Sequence, residues 1–312
     1  MAGIGEMTPP KQNPFSLYDF LGYLLPGAFF IYVVATVRAW LSANETLRDV
    51  LHKHLNLAEP ERILPFLILA YLLGHLLSFL SSITVERYSI WQYGYPSKYL
   101  VGMGYPGYFM VDAPKFPRIV LRLFIFVLLL PISVPDVILG RFLRMRYLYA
   151  KGLDKPLVDI LRKKLDFLVE HHCGHLGTVP AKDTDFFRLV YHYVLEHAPA
   201  HVPKMQNYVA LYGFLRTQCF LFVVSWWLVK ALTGVGRLPT SRANAVLGLM
   251  ALVAYVLFMA FVKFYRRFSL EALMALVAVC PEGDDAKHDR DVQPPTGSHE
   301  PGKESPSGTR RG

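Results

Sequence analysis

Apolar residues in this chain gather into a few long runs instead of alternating or recurring at short intervals. Four runs, Phe20–Trp40, Ile63–Ile83, Tyr212–Leu232 and Ala245–Phe264, each reach the roughly 20 residues needed to cross a hydrocarbon core. A fifth, Ile119–Leu139, contains Arg122, Pro131 and Pro135, and its uninterrupted part from Leu123 to Val134 has only 12 residues. That length predicts a re-entrant or interfacial segment. Helical spacing returns in Lys155–Glu170, with Leu157, Ile160, Leu161, Leu165 and Leu168 on one face. A second helix is expected after Asp183 or Thr184 as cap, with Phe186, Phe187, Val190, Tyr193 and Val194 as its buried stripe and Pro199 and Pro203 ending it. Nothing breaks the chain from Lys204 to Leu232, and these 29 residues make about 43 Å of helix against a hydrocarbon core of about 30 Å.

The pattern predicts an all-α integral membrane helical bundle. Four spans form two hairpins around a helical insert, with 119–139 as a fifth, re-entrant or interfacial segment. The expected boundaries are an N-terminal segment 1–19, a first hairpin 20–83, the insert 84–210, a second hairpin 211–264, a juxtamembrane helix 265–280 and a tail 281–312. The tail is rich in Gly, Pro, Ser and charge, cannot bury a core, and is expected to be disordered. The first run is too long for a signal-peptide core and is read as a retained helix.

Composition sharpens this. The 312 residues are 53 % apolar and 18 % charged, against about 25 % charged in soluble domains. A secreted disulfide scaffold, a collagen-like fibre and a fully disordered chain are excluded. The net charge is +9, and the tail holds five basic and seven acidic side chains, so the rest carries +11. Thr84–Tyr208 has 16 Lys and Arg against 10 acids. With four spans, the positive-inside rule puts this insert, Lys11 and the Arg266–Arg267 pair in the cytoplasm, together with both termini. No nucleic-acid reader motif accompanies the charge, so the expected partner is the lipid bilayer.

Candidate chemistry is sparse. His75 lies near the middle of the second span, where an ionisable group faces a bundle interior or a water path. The plainer reading is a neutral imidazole hydrogen-bonded to a neighbouring helix, with Gln218 as a partner. Pro26 cannot bond the Gly22 carbonyl, which predicts a hinge or close-packed kink in span one. Arg216, one turn inside the third span, is expected to snorkel to the headgroups. Arg141, Arg144 and Arg146 form a basic cluster expected to bind anionic lipid, and Trp40, Trp91, Trp226 and Trp227 suit interfacial anchoring. His171, His172, Cys173 and His175 are the one metal-like cluster. Their spacing matches neither familiar zinc pairing, so an exposed loop is preferred and zinc is the alternative. Cys173, Cys219 and Cys280 are too far apart for a CxxC site. Hydrolase, kinase, P-loop and zincin motifs are absent, so no enzymatic activity and no cofactor are expected.

Two stretches, Asp19-Phe-Leu-Gly-Tyr-Leu-Leu-Pro-Gly27 and Leu211-Tyr-Gly-Phe-Leu-Arg216, resemble an uncharacterised group of bacterial multi-pass inner-membrane proteins often associated with anti-phage defence loci. The resemblance covers about a tenth of the chain and no catalytic motif. It implies a bacterial inner membrane and a defence role. The expectation is a homo-oligomeric membrane effector that senses a cytoplasmic signal through its insert, with Gly22, Pro26, His75 and Arg216 as moving parts. The alternatives are an anchor recruiting a soluble cytoplasmic partner and a small oligomeric channel or transporter.

Overall fold

The computed structural model describes residues 19–41, 46–55, 60–104, 107–109, 116–173, 185–235 and 240–280. The expected tail 281–312 falls outside them. All described elements are helical. In order they are α1 (Phe20–Leu41), α2 (Leu47–Leu55), α3 (Pro60–Ser81), α4 (Arg87–Tyr93), α5 (Pro96–Leu100), α6 (Phe116–Leu128), α7 (Leu130–Pro135), α8 (Lys155–Cys173), α9 (Phe186–His197), α10 (Val202–Gly234) and α11 (Thr240–Val279). Four stretches are long and apolar enough to cross a membrane: Phe20–Leu41, Pro60–Leu100, Pro199–Gly234 and Ala243–Val279. The chain is an all-α, multi-pass membrane bundle.

Helices α1 and α3 touch backbone to backbone. A Cβ on Gly27 would lie 1.7 Å from the Ala70 carbonyl oxygen, and one on Gly74 would lie 1.8 Å from that of Tyr23. Small residues let membrane helices approach this closely. Gly22 has no such neighbour within 4 Å, so close packing belongs to Gly27 and Gly74. The irregularity expected at Pro26 is a π-turn over Phe20–Leu24, in which the Leu25 N–H bonds the Phe20 carbonyl. Further π-turns fill Ser82–Glu86, between α3 and α4, and Asp136–Phe142, after α7.

The doubtful fifth segment is broken. Phe116–Leu128 and Leu130–Gly140 meet at 85°, and neither arm, at about 1.5 Å per residue, crosses a 30 Å core alone. Pro131 supplies no N–H at the break. The carbonyls freed there find side chains instead: Trp227 Nε1 donates to Leu128 O at 2.7 Å and Ser133 Oγ to Phe126 O at 2.9 Å. Trp227, expected at an interface, thus holds the elbow. Arg122 is likewise satisfied within the protein, by the Tyr108 carbonyl and the Trp91 ring 5.1 Å away.

Two cores result. One joins α3, α4, the broken pair, α10 and α11 around Tyr88, Leu129, Ile132, Leu221 and Phe258. The other joins α5, α8, α9 and the adjoining ends of α10 and α11 around Leu100, Leu161, Leu165, Val190 and Leu276. On α8, Ile160 departs from its expected face at 47 % exposure, and Val158 takes the buried place. The opposite face of α8 exposes Asp159, Lys163 and Glu170, while Arg162, near the buried edge, donates to the Val101 carbonyl at 2.9 Å. Large apolar residues are exposed mainly on α1, α3 and α6, including Leu64, Leu72, Phe79 and Phe124, as a lipid-facing surface requires. Helices α10 and α11 serve both cores without interruption. At 33 and 40 residues they are about 50 and 60 Å long, and the juxtamembrane segment 265–280 continues the final span as the last turns of α11, up to Val279. The Lys204 ammonium and His201 Nδ1 reach Glu271 at 2.8 and 3.0 Å, fastening the start of α10 to that end.

Candidate functional site

Asp136 is fully buried in the arm beyond the elbow, directly after the end of α7. Four donors converge on it. Tyr88 Oη and Gln92 Nε2 donate to Oδ2, each at 3.0 Å, while Tyr149 Oη donates to Oδ1 at 3.1 Å and the Tyr93 hydroxyl makes a short bond to the same oxygen. A carboxylate offers about four acceptor positions and no donor, so the cluster fills the hydrogen-bonding capacity of one acid. Arg146 Nη2 lies 3.7 Å from Oδ2, and its guanidinium sits over the Tyr93 ring at 5.1 Å.

Local structure explains the convergence. Tyr88 and Gln92 are four apart on α4 and share a face. Gly140 leaves room for the carboxylate to lie back along its own turn, because a Cβ there would meet Asp136 Oδ1 at 2.6 Å and Tyr149 Oη at 2.9 Å. Arg144 at φ 55° turns the chain back through a short 3-10 turn, Met145–Leu148, and that reversal returns Arg146 and Tyr149 to the acid. Burial pushes the Tyr149 phenol well above its ordinary range, and the Asp136 carboxylate adds to the shift. Tyr255 on α11 approaches Tyr149 at 3.5 Å, linking the cluster to the longest helix.

A second polar contact lies on the Ser82–Glu86 turn. Arg216 donates from Nε to Ser81 Oγ at 3.1 Å and from Nη1 to Glu86. Its side chain is 13 % exposed, so it is turned inward and does not snorkel.

The remaining expected residues are dispersed. His75 lies on the outer face of α3, its ring stacked on Tyr23 at 3.8 Å and edge-on to Tyr71 at 4.5 Å. Gln218 is buried on α10, and no hydrogen bond joins it to His75 among the described residues. Of the expected lipid-binding arginines, Arg144 is exposed, whereas Arg146 is turned toward Asp136 with its side chain 29 % exposed, since the αL residue before its turn folds it back. The Arg141 side chain lies outside the described residues. So do the side chains of His171, His172 and Cys173 at the end of α8, and the whole of His175. Among the described residues, no three His, Cys, Asp or Glu side chains converge as metal ligands.

Comparison of the chain with protein-family models, curated proteins and solved structures finds no match.

Proposed function

We propose that this protein is a membrane-embedded effector of a bacterial defence system, receiving a cytoplasmic signal on its helical insert and answering by altering membrane integrity. The observation that carries the reading is the passage of α10 and α11 through both cores. A helix pair packed on α8 and α9 at one end and on the broken segment at the other transmits a displacement between them. The elbow adds support, because a buried acid inside an apolar segment marks a functional element of a membrane bundle and π-turns gather at such elements. The positive-inside rule argues for a cytoplasmic insert and cytoplasmic termini. The inner membrane and the defence role rest on the resemblance. Four spans are few for a pore within one chain, and the outward His75 favours a homo-oligomer in which a second copy covers the imidazole.

The test is the membrane potential of bacteria induced to express the protein at graded levels, followed with a voltage-sensitive dye. Depolarisation that rises with expression and falls in His75→Ala is expected. A steady potential despite confirmed insertion overturns the effector reading. It would favour the anchor, a reading that draws on the exposed charged face of α8, where a soluble partner would dock.

A further inference from the structure

Tyr212 and Tyr265 each pack against both cores, with ring centroids 5.0 Å apart. At this seam α5, the first turn of α9, α10 and α11 line an open cavity of about 430 Å³, within the size range of small-ligand sites. Its donors are unusual for their depth. Ser97 is 7 % exposed and Ser269 is 2 % exposed, both line the cavity, and no hydrogen bond joins either hydroxyl to another described residue. Neither hydroxyl oxygen is sealed from solvent, so both are open to a ligand that enters the cavity.

The rest of the lining specifies the chemistry. Lys98 and Arg188 bring positive charge. Asp185 borders the cavity too, and its carboxylate is engaged by Arg188 Nε at 2.9 Å. The aromatic wall is formed by Phe187, Tyr212 and Phe268, with Phe187 edge-on to Phe268 at 5.7 Å. Cations and hydroxyl donors suit phosphate oxygens, while packed rings suit an apolar or planar organic group.

We infer that this cavity binds a phosphate ester, with its oxygens toward Lys98, Arg188, Ser97 and Ser269 and its organic part against the aromatic wall. Ligand held there bridges the two cores directly. The inference supplies an input for the effector reading, but binding is measured without reference to membrane potential, so the two fail separately.

Thermal unfolding of the full-length protein in detergent tests it, since a ligand that binds only the folded state raises Tm. Adenosine monophosphate represents a soluble phosphate ester and dihexanoyl phosphatidylglycerol a lipid headgroup, with adenosine and dihexanoyl glycerol as phosphate-free controls. A phosphorylated probe is expected to raise Tm more than its control, and the stronger of the two identifies the source. Arg188→Glu, at a side chain 84 % exposed and so harmless to folding, and Ser269→Ala, which keeps the shape of the core, are each expected to weaken apparent affinity at least tenfold. No shift with either phosphorylated probe, or shifts of full size in both variants, overturns the inference.

Discussion

Arg216 on α10 donates to the Glu86 carboxylate at the end of the π-turn that follows α3, and to Ser81 on the turn before it. Both charges are largely withdrawn from water, at 13 % and 23 % exposure. Breaking one partner of a buried pair leaves the other charge uncompensated, typically at a cost of 3–5 kcal/mol. Residual solvent access lowers this, so Glu86→Gln is expected to destabilise by about 2 kcal/mol. Arg216→Met placed on top should restore much of the loss. A double-mutant cycle on unfolding in micelles measures the coupling, and strictly additive losses would contradict the pairing.

The crossing of α1 and α3 predicts sharply different outcomes at similar glycines. Gly74→Ala sets a methyl 1.8 Å from the Tyr23 carbonyl oxygen, a backbone atom that only helix separation can move. A loss of about 2 kcal/mol or more is expected, in the range for overpacking. Gly213→Ala on α10 meets nothing within 4 Å and should stabilise by about 0.5–1 kcal/mol through helix propensity. Thermal melts of the two single variants decide this. Equal losses would mean that the helices do not cross where these glycines lie.

The spans could be read from the sequence because length and hydropathy are local properties. The elbow was half legible: Arg122, Pro131 and Pro135 mark a segment unfit to cross. Asp136, beside Pro135, passed unnoticed because its donors come from positions 88, 92, 93 and 149, and only folding brings them together. The one local hint is the four-residue spacing of Tyr88 and Gln92, which puts two donors on one face. The partners of Arg146 and Arg216 are not legible either, because Asp136 and Glu86 lie 10 and 130 residues away in sequence and reach them only in the fold. Helix α2 had its own overlooked signal. Thr46 and Asp49 form a reciprocal cap, Thr46 Oγ1 donating to Asp49 Oδ2 at 2.7 Å and the Asp49 N–H returning to Thr46 Oγ1 at 3.3 Å. The Thr46 hydroxyl, together with the Thr46 N–H that donates to Asp49 Oδ2 at 2.9 Å, holds the Asp49 carboxyl below its usual range.

Stability should fall at high pH, and Tyr149 should contribute to the fall. Burial raises its phenol in the folded protein, while an unfolded tyrosine releases its proton near pH 10. Above that pH the unfolded state binds fewer protons than the folded one, so unfolding becomes easier as pH rises. The contribution is complete below about pH 10 and erodes above it. In Tyr149→Phe the slope of unfolding free energy against pH should be shallower by up to about 1.4 kcal/mol per pH unit, the value for one proton. Parallel curves for the two proteins between pH 9 and 12 would contradict this.

Asp136 is expected to hold the elbow, and its variants separate charge from shape. Asp136→Asn keeps the size but presents an amide N–H₂ to a cluster of donors and leaves Arg146 without its counter-charge. Losses of 3–5 kcal/mol are typical when a buried pair is broken, and the 29 % exposure of Arg146 places the expectation near about 3 kcal/mol. Gly140→Ala leaves every charge in place and instead puts a methyl 2.6 Å from Asp136 Oδ1, so it should displace the same carboxylate by crowding. Both changes remove the link between the arm after the break and α4. Amide hydrogen exchange across 130–143 should therefore accelerate at least about tenfold, equivalent to about 1.4 kcal/mol of local stability, while α8 and α9 in the other core remain protected. Uniform acceleration across both cores would show that Asp136 supports the whole fold and that the elbow is not a separately adjustable element.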